Sequence, residues 1–558
     1  MKIKFLIICI LLTSNFIFSQ ERETRAVWVT TNFKLDWPPN TKDELKQKQK
    51  LKEIFEDLSK KHFNTVYFQV RSNGTVLYNS DIEPFSPYIT GVVGGKPNYD
   101  PLQYAIDLGR EYDLEVHAWI NMIRCYSGAD DSFLKHPKHV RNAHPDWTVR
   151  VMDENGKLSY WLNPGYYKAQ DYLVDLMVEL TNKYDVDGIH LDFFRYPGND
   201  FDDDKYFKNY GFKTSIDDWR RNNLTTILRK FKERAKPLNK FLKVGATPIG
   251  IRKNLEGAVG WEGYSSVYQD TETWLQEELV DYLTPQIYWD FENNPRFDVL
   301  AKDWVGKSNN KLIVLGLAAY KEDIKIELNK MIDFSREINS AGISFFRYAN
   351  IASVESKYFD NLSLPPDMIW KSNYSNPNFG EIHSNFETDL NDEITIVWND
   401  QNSIKNNFYR KYLLLNETKP LKLLGLDQNY IKLRFGSPSK LMYEYNIGKI
   451  DRLWNVASIS NTMPISVPFL VELKNSGFVS SSPILYKENE EQIYLAITSN
   501  STQKAIIDFI TIENIGNQNH YDLNVGLNII PIKENLRIIK KLRITYSESN
   551  KHEEINLF

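Results

Sequence analysis

Cysteine is almost missing from this chain of 558 residues, which carries only Cys9 and Cys125. Cys9 lies in the leading stretch "MKIKFLIICILLTSNFIFSQ", where Lys2 and Lys4 precede an apolar run and small Ser19 precedes Gln20. That is the layout of a secretory signal, with cleavage expected near Ser19. Its loss would leave Cys125 alone, which excludes an intramolecular disulfide and leaves packing to supply stability. The residue before Cys9 is not the small one expected ahead of a lipidated cysteine. Thr13, Ser14 and Asn15 break the apolar run, which falls short of the ~20 residues of a spanning helix, and no second run of that length follows. An exported chain with no integral membrane segment after signal removal is the expectation; the sequence sets no oligomeric state.

An excess of charge is also lacking. Lys and Arg number 68 against 73 Asp and Glu, a net −5, which gives no electrostatic reason to hold nucleic acid or an anionic membrane. Several chemical signatures are missing too: no HxH, HExxH or clustered CxxC for a metal, and no GxSxG for a serine nucleophile. The Gly-rich "GVVGGKPNYD" fits neither phosphate-loop nor dinucleotide spacing and reads as a loop. No cofactor is expected. Aromatic residues are plentiful at 13%, suited both to β-rich cores and to the apolar faces of sugars.

From residue 24 onward, short β-rich runs alternate with amphipathic stretches of helical spacing, the pattern of βα units around a parallel sheet. Eight strands are predicted, at 24–30, 65–71, 114–121, 187–192, 243–248, 281–289, 312–318 and 342–348. Helices are expected between them, among them 41–61 and 164–184, the latter opened by Asn163 and Pro164. This is the count of a (β/α)8 TIM barrel, an α/β fold, over residues 20–365, after a signal peptide at 1–19. Long connections follow strands two, three and four, where such a barrel builds a groove. A Pro/Asn/Ser-rich linker is expected at 366–384. Beyond it, short strands without helical signal predict one or two β-sandwiches, divided at 385–462 and 463–558.

Residues of one parity carry the polar groups of the barrel strands: Tyr67, Gln69 and Arg71; His117, Trp119 and Asn121; His190 and Asp192; Gln286 and Tyr288. Gathered inside a barrel, they would form either a self-satisfying network or a ligand pocket. Asp192 closes strand four before the turn "FFRYPG" and is the first candidate for nucleophile or general acid/base, against an ion pair with Arg195 or a loop cap. Glycoside cleavage normally uses two carboxyls. Asp270 in "VYQDTETW" is the leading second, against a helix N-cap, with Glu262, Glu272, Asp290, Glu292 and Asp36 in reserve. Gln69, Arg71, Asn121, His190, Arg195, Gln286 and Tyr288 are candidate substrate contacts. Trp28, Trp119, Trp147, Trp161 and Trp289 are candidate platforms, with core packing the alternative for each. The pair His190 and Asp192 with His117 makes a metal site conceivable, though without a metal signature.

The blocks "RAVWVTT", "FNTVYFQVRSNGTVLYNSDIEPFSPYITG", "YDPLQYAIDLGREYDLEVHAWIN", "HPDW", "WLNPG", "YDVDGIHLDFFRYP", "DTETWLQEELVDYLTPQIYW" and "GISFFRY", in this order over residues 23–360, resemble glycosyl-hydrolase-like family 10, once catalogued as domain of unknown function 187. The resemblance implies a secreted or envelope-associated (β/α)8 hydrolase acting on glycans, with peptidoglycan as the substrate such enzymes suggest. The family's motif "HFDDYFYP" falls on His190 to Pro197: Asp192 matches the first Asp and Phe193 stands in place of the second. Where relatives read "HAWFNPYR", Asn121 is kept and Met122 replaces the Pro. "YEYNIGKIDRLWNVASIS" resembles the last strands of a fibronectin type III module. The expected activity is glycosidic-bond hydrolysis. Its rivals are a noncatalytic glycan-binding protein on the same barrel and a metal-dependent polysaccharide deacetylase.

Overall fold

The computed structural model describes residues 22–371 apart from 129–130, 154, 212, 236 and 353–357, and beyond residue 381 the stretches around the strands between 382 and 556. The expected signal peptide and residues 372–381 of the expected linker lie outside the described residues.

Eight strands carry the N-terminal unit: β1 (Thr24–Val29), β2 (Thr65–Ser72), β3 (Glu115–Asn121), β4 (Gly188–Asp192), β5 (Lys243–Ala246), β6 (Tyr282–Leu283), β7 (Leu312–Leu317) and β8 (Gly342–Phe345). Each pairs in parallel with the next, and β1 pairs with both β2 and β8, so the sheet closes on itself. Helices α1 (Glu44–Lys60), α2 (Pro101–Glu111), α3 (Tyr167–Lys183), α4 (Ile216–Ala235), α5 (Thr271–Gln276), α6 (Phe297–Gly306), α7 (Leu328–Glu337) and α8 (Tyr348–Ala352) follow the strands in turn. This is a TIM barrel.

Local chemistry sets these elements. Asp43 caps α1 by accepting from the Leu45 and Lys46 N–H groups, and Leu51, Ile54, Phe55 and Leu58 recur on one buried face. On the strands, Val66, Phe68 and Val70, and Val116 and Ala118, point outward under the helices and are buried there. The opposite parity points inward, and the register sets inward residues side by side: Trp28 beside Tyr67, Tyr67 beside His117, Trp119 beside His190 and Asn121 beside Asp192.

Four details differ from the sequence expectation. β6 holds only two residues in its ladder, because Pro285 offers no N–H; Gln286 rejoins through single bridges to Ile249 and Gly316. Helix α3 starts at Tyr167 rather than near Pro164, since the Asn163 side chain turns back to accept from the Gly165 N–H. The connection after β3 folds into its own antiparallel sheet of Arg124–Ser127, Leu158–Leu162 and Thr148–Met152. The first residues of the expected linker belong to the barrel unit: Trp370 donates to Asp281 at 2.9 Å and Lys371 pairs with the same carboxylate at 2.8 Å.

The C-terminal unit holds two sandwiches. In the first, a sheet of Ile382–Thr388, Glu393–Asp400 and Tyr430–Arg434 shares a core with a sheet built on Tyr409–Asn416 and Met442–Asp451; Ile396 and Trp398 meet Tyr412, Leu414 and Ile447 there. Its last strand, Met463–Ser466, passes the boundary expected at residue 462. In the second, Leu495 and Ile497 of one sheet share a core with Ile507, Phe509, Leu542 and Ile544 of the other. Residues Arg452–Trp454 are part of the barrel unit.

Candidate functional site

The barrel interior is filled by a hydrogen-bonded series whose proton order can be read from its donors. The Trp28 indole N–H can only donate, and it lies 3.0 Å from His190 Nε2. That nitrogen must accept, which places the imidazole proton on Nδ1, 3.0 Å from the Tyr282 hydroxyl. Tyr282 in turn reaches His117 Nδ1 at 2.7 Å, and His117 Nε2 donates to Glu115 at 3.1 Å. Glu115 also receives the Lys243 ammonium and the Trp454 indole N–H. Every member is buried, and His190 stacks on Tyr67 with centroids 3.9 Å apart. Burial, with His117 adding to it, holds His190 well below the usual imidazole range, so it stays neutral.

Asp192 sits above this series at the C-terminal end of β4, where it is 7% exposed. Its Oδ2 accepts from the Trp119 indole at 3.1 Å and its Oδ1 from the Phe193 N–H at 2.6 Å. It forms no ion pair among the described residues. Burial raises its pKa, against the opposing pull of the Phe193 N–H, Arg124, Arg195 and the Trp119 N–H. The two arginines are its charged surroundings. Burial lowers Arg124 to about 10, with the Asp192 charge opposing; burial and the repulsion of Arg124 lower Arg195 to about 10. Arg124 lies 3.4 Å from the Phe193 ring centroid, and Arg195 lies 5.2 Å from it, 5.3 Å from Trp161 and 4.8 Å from Trp261. Phe193 holds this place with a left-handed φ of 48°.

Around the carboxyl are polar groups with nothing to bind among the described residues. The Asn121 amide accepts from Gln69 at 3.3 Å while its N–H₂ is uncommitted. Half-buried Tyr288 contributes a phenol in the same condition; the half-buried Gln286 amide, beyond the short ladder of β6, is likewise without a partner among the described residues. Burial, then the Asp192 charge, raises the Tyr288 phenol well above its ordinary value, which places it within the electrostatic reach of the acid. Phe346 lies over Trp28, Trp119 and Tyr288 at centroid distances of 5.8, 6.4 and 6.1 Å and separates the dry interior from this mouth. A carboxyl of raised pKa beside such free donors can give a proton to a bound leaving group.

The glycosyl hydrolase-like 10 family matches residues 23–333. The chain belongs to this family. Glycosyl hydrolase YngK of Bacillus subtilis is 34% identical over 318 residues, covering 54% of this chain and 61% of that one. Glycosyl hydrolase DigH of Escherichia coli is 32% identical over 340 residues, covering 55% of this chain and 76% of the relative. The match to the Bacillus protein thus spans less than two thirds of its length. Among solved structures, the catalytic domain of a β-amylase from Paenibacillus polymyxa covers 63% of this chain and 97% of its own at 13% identity, with a TM-score of 0.41.

Within this glycosyl hydrolase-like barrel, several residues read from the sequence as ligand contacts hold the frame instead. Trp28 is 1% exposed and His190 0%, both spent on the internal series. Gln69 accepts from the Thr31 and Asn32 N–H groups and so pins the turn after β1. Arg71 is buried in a two-bond pair with Glu83 at 2.7 and 2.6 Å and also donates to the Met122 carbonyl at 3.0 Å. Glu83 loses water there, yet the Arg71 charge and the bonds from Arg71 and Tyr172 leave its pKa lowered. Asp270 caps α5, accepting from the Thr273 N–H and, at 2.8 Å, from its hydroxyl, and makes no contact with Asp192. Asp36 ties the loop after β1 to Arg347 and the Ala349 N–H, Asp290 accepts from Glu292 and Asn293, Glu262 from Asn254 and Ser265, and Glu272 pairs with Arg252. Exposed Glu292 stays at the surface.

Of the ring platforms, Trp119 serves Asp192, and buried Trp161 donates to Ser159 at 2.9 Å. Trp147 stacks on His144 at 3.6 Å, and half-buried Trp289 packs beside Gly250. The His117 and His190 nitrogens that a metal would need are engaged, and no group of three His, Cys, Asp or Glu side chains converges among the described residues. Sequence reasoning passed over Arg124 and Trp261. Arg124 begins a four-residue strand too short to show periodicity and Trp261 lies on a loop, and the one available signal was the pair of cations flanking an acid-bearing strand end.

Proposed function

We propose that this protein is an exported glycoside hydrolase that cuts glycosidic bonds within a polysaccharide, the glycan strands of peptidoglycan, with Asp192 as general acid. The observation that carries the reading is the carboxyl at the end of β4: burial raises its pKa, it has no ion-pair partner among the described residues, Asn121 stands beside it in the strand register and the Tyr288 phenol lies within its electrostatic reach. A carboxyl of raised pKa is the kind of group that protonates a departing sugar oxygen, and free amide and phenol groups suit sugar hydroxyls. Family membership and relatives carrying the name glycosyl hydrolase support the same class. Export rests on the leading segment.

The test is product mass spectrometry after incubation with peptidoglycan strands stripped of peptides and with a panel of neutral polysaccharides. The wild type is expected to shorten the stripped strands, and Asp192→Asn to lower the rate on the order of 10²- to 10⁴-fold, the range of a lost general acid. A wild type that cuts none of these glycans would overturn the enzyme reading, and an Asn variant as fast as wild type would remove Asp192 from it.

A further inference from the structure

We propose that Arg124 and Arg195 form a subsite for a carboxylate carried by the substrate, immediately beside Asp192, so that the barrel acts on an acidic glycan. The proposal rests on the glycosidase reading above and adds to it the charge of the sugar.

Arg124 opens the small sheet that follows β3, and it stands at the end of β4 because the Met122 and Ile123 N–H groups continue the pairing, donating to the Asp192 and Phe193 carbonyls at 2.7 and 3.2 Å. Its guanidinium lies flat on Phe193, half-buried, and none of its side-chain N–H groups has an acceptor among the described residues. Arg195 is held by the same ring and by Trp161 and Trp261, with one bond to the Tyr196 carbonyl at 3.1 Å. A guanidinium supported on an aromatic face keeps its planar N–H edge for a partner, and that edge matches the two oxygens of a carboxylate.

The charge count points the same way. Two cations face one protein carboxyl, so the mouth carries an excess positive charge when Asp192 is ionised and a larger one when it holds the proton it must donate. A half-buried cation without a counter-ion is costly, and a substrate carboxylate would offset that cost. What lies under the Arg124 guanidinium is the apolar ring of Phe193, which brings it no negative charge. A Phe is also a poor occupant of a left-handed backbone, which Asp tolerates better.

The arrangement couples binding to chemistry. The arginines are among the groups that favour the ionised form of Asp192. A substrate carboxylate that neutralises them withdraws this pull, so Asp192 holds its proton more firmly in the complex than in the free protein. The acid is armed by the sugar it will cut.

Two sources offer this carboxylate: the lactyl ether of a stripped muramic acid unit, or the C6 carboxyl of a uronic acid. The experiment is calorimetric binding to the full-length Asp192→Asn protein, whose turnover is expected to be slow enough to leave the ligand intact over a titration. The probes are stripped peptidoglycan strands, the same strands with carboxyls reduced to alcohols, and oligogalacturonate. Carboxylated strands are expected to bind about tenfold or more tightly than reduced ones, with an affinity that falls as salt rises. That gap should close when Arg124→Gln or Phe193→Asp is added, the latter being the variant that suits the backbone. Preference for oligogalacturonate over both strand samples would assign the carboxylate to a uronic acid and uphold the subsite. Equal affinity for carboxylated and reduced strands, or binding of none of the probes, would overturn it. The two readings fail separately: a wild type that cuts reduced and carboxylated strands equally keeps the glycosidase and loses the subsite, while one that binds only carboxylated strands and cuts nothing keeps the subsite and loses the glycosidase.

Discussion

A carboxyl moved out of water keeps its proton longer, and at Asp192 that preference has a cost in stability. Its folded pKa lies above the ordinary carboxylate value, so the folded chain binds the proton more tightly than the unfolded one. Stability is therefore lost as pH rises from the unfolded carboxylate range through the raised folded value. Asn has the same shape without the charge. Asn serves only one of the two donors that face Asp192, so the test is the trend. The melting temperature of Asp192→Asn relative to the wild type is expected to rise from about pH 3, where the carboxyl is neutral folded and unfolded, to neutral pH, and a difference that stays flat or falls in melting scans would contradict the raised pKa. Asp270 carries the opposite expectation. As a helix cap it should be replaceable by Ser with activity kept, whereas Asp270→Ala should cost about 1 kcal/mol in denaturant titrations. Loss of turnover in a stable Ser variant would return Asp270 to the chemistry. Asp192 was legible in the sequence because it ends an alternating strand; the cap at Asp270 was legible as an alternative. Arg124 was not, because nothing in the sequence marks that the β3–β4 pairing continues through Met122 and Ile123 and so sets Arg124 beside Phe193.

At the scale of the strand, the alternation of polar and apolar residues gave the barrel and its inward face correctly, yet not the depth of each residue along the axis. A strand of five to eight residues crosses from a dry interior to an open mouth, and parity is blind to that passage. His190 and Asp192 share a face and differ in kind: one is locked in the internal series, the other reaches the mouth. The short ladder of β6 was hidden for a similar reason, since "DYLTPQIYW" reads as a strand until Pro285 is given its place in the hydrogen bonding. Tyr282, from the two residues that do pair, joins the two histidines of the series. Tyr282→Phe would leave His190 Nδ1 and His117 Nδ1 buried without their partner. A loss of about 2 to 4 kcal/mol is expected by chemical denaturation, from two groups at roughly 1 to 3 kcal/mol each with partial relaxation; a change under about 0.5 kcal/mol would show that the series does not hold the barrel.

For the whole molecule, the physics is that of separate cores. The barrel, the first sandwich and the second sandwich each close over their own apolar set, so cooperativity belongs to each of them rather than to the chain. The sequence signalled this division through its change from mixed to purely β patterning near residue 365, but it could not signal that Arg452–Trp454, three residues from the turn after a sandwich strand, belong with the barrel. Nothing local marks that tripeptide; its affiliation comes from the Trp454 indole, 2.6 Å from buried Glu115, and from Arg22, which donates to the Trp454 carbonyl at 2.8 Å. Glu115 already serves His117 and Lys243, and a buried carboxylate that loses a donor is expensive. Trp454→Phe removes that donor and leaves a smaller ring in a fully buried place, at an expected cost of at least about 1.5 to 3 kcal/mol, the worth of a bond to a charged group, to which lost packing adds. In calorimetry of the full chain the loss should lower the transition that responds in the same direction to Tyr282→Phe, because both substitutions act on Glu115 and its neighbours. If Trp454→Phe instead shifts a transition that Tyr282→Phe leaves in place, the tripeptide answers to the sandwich core, and its assignment to the barrel fails.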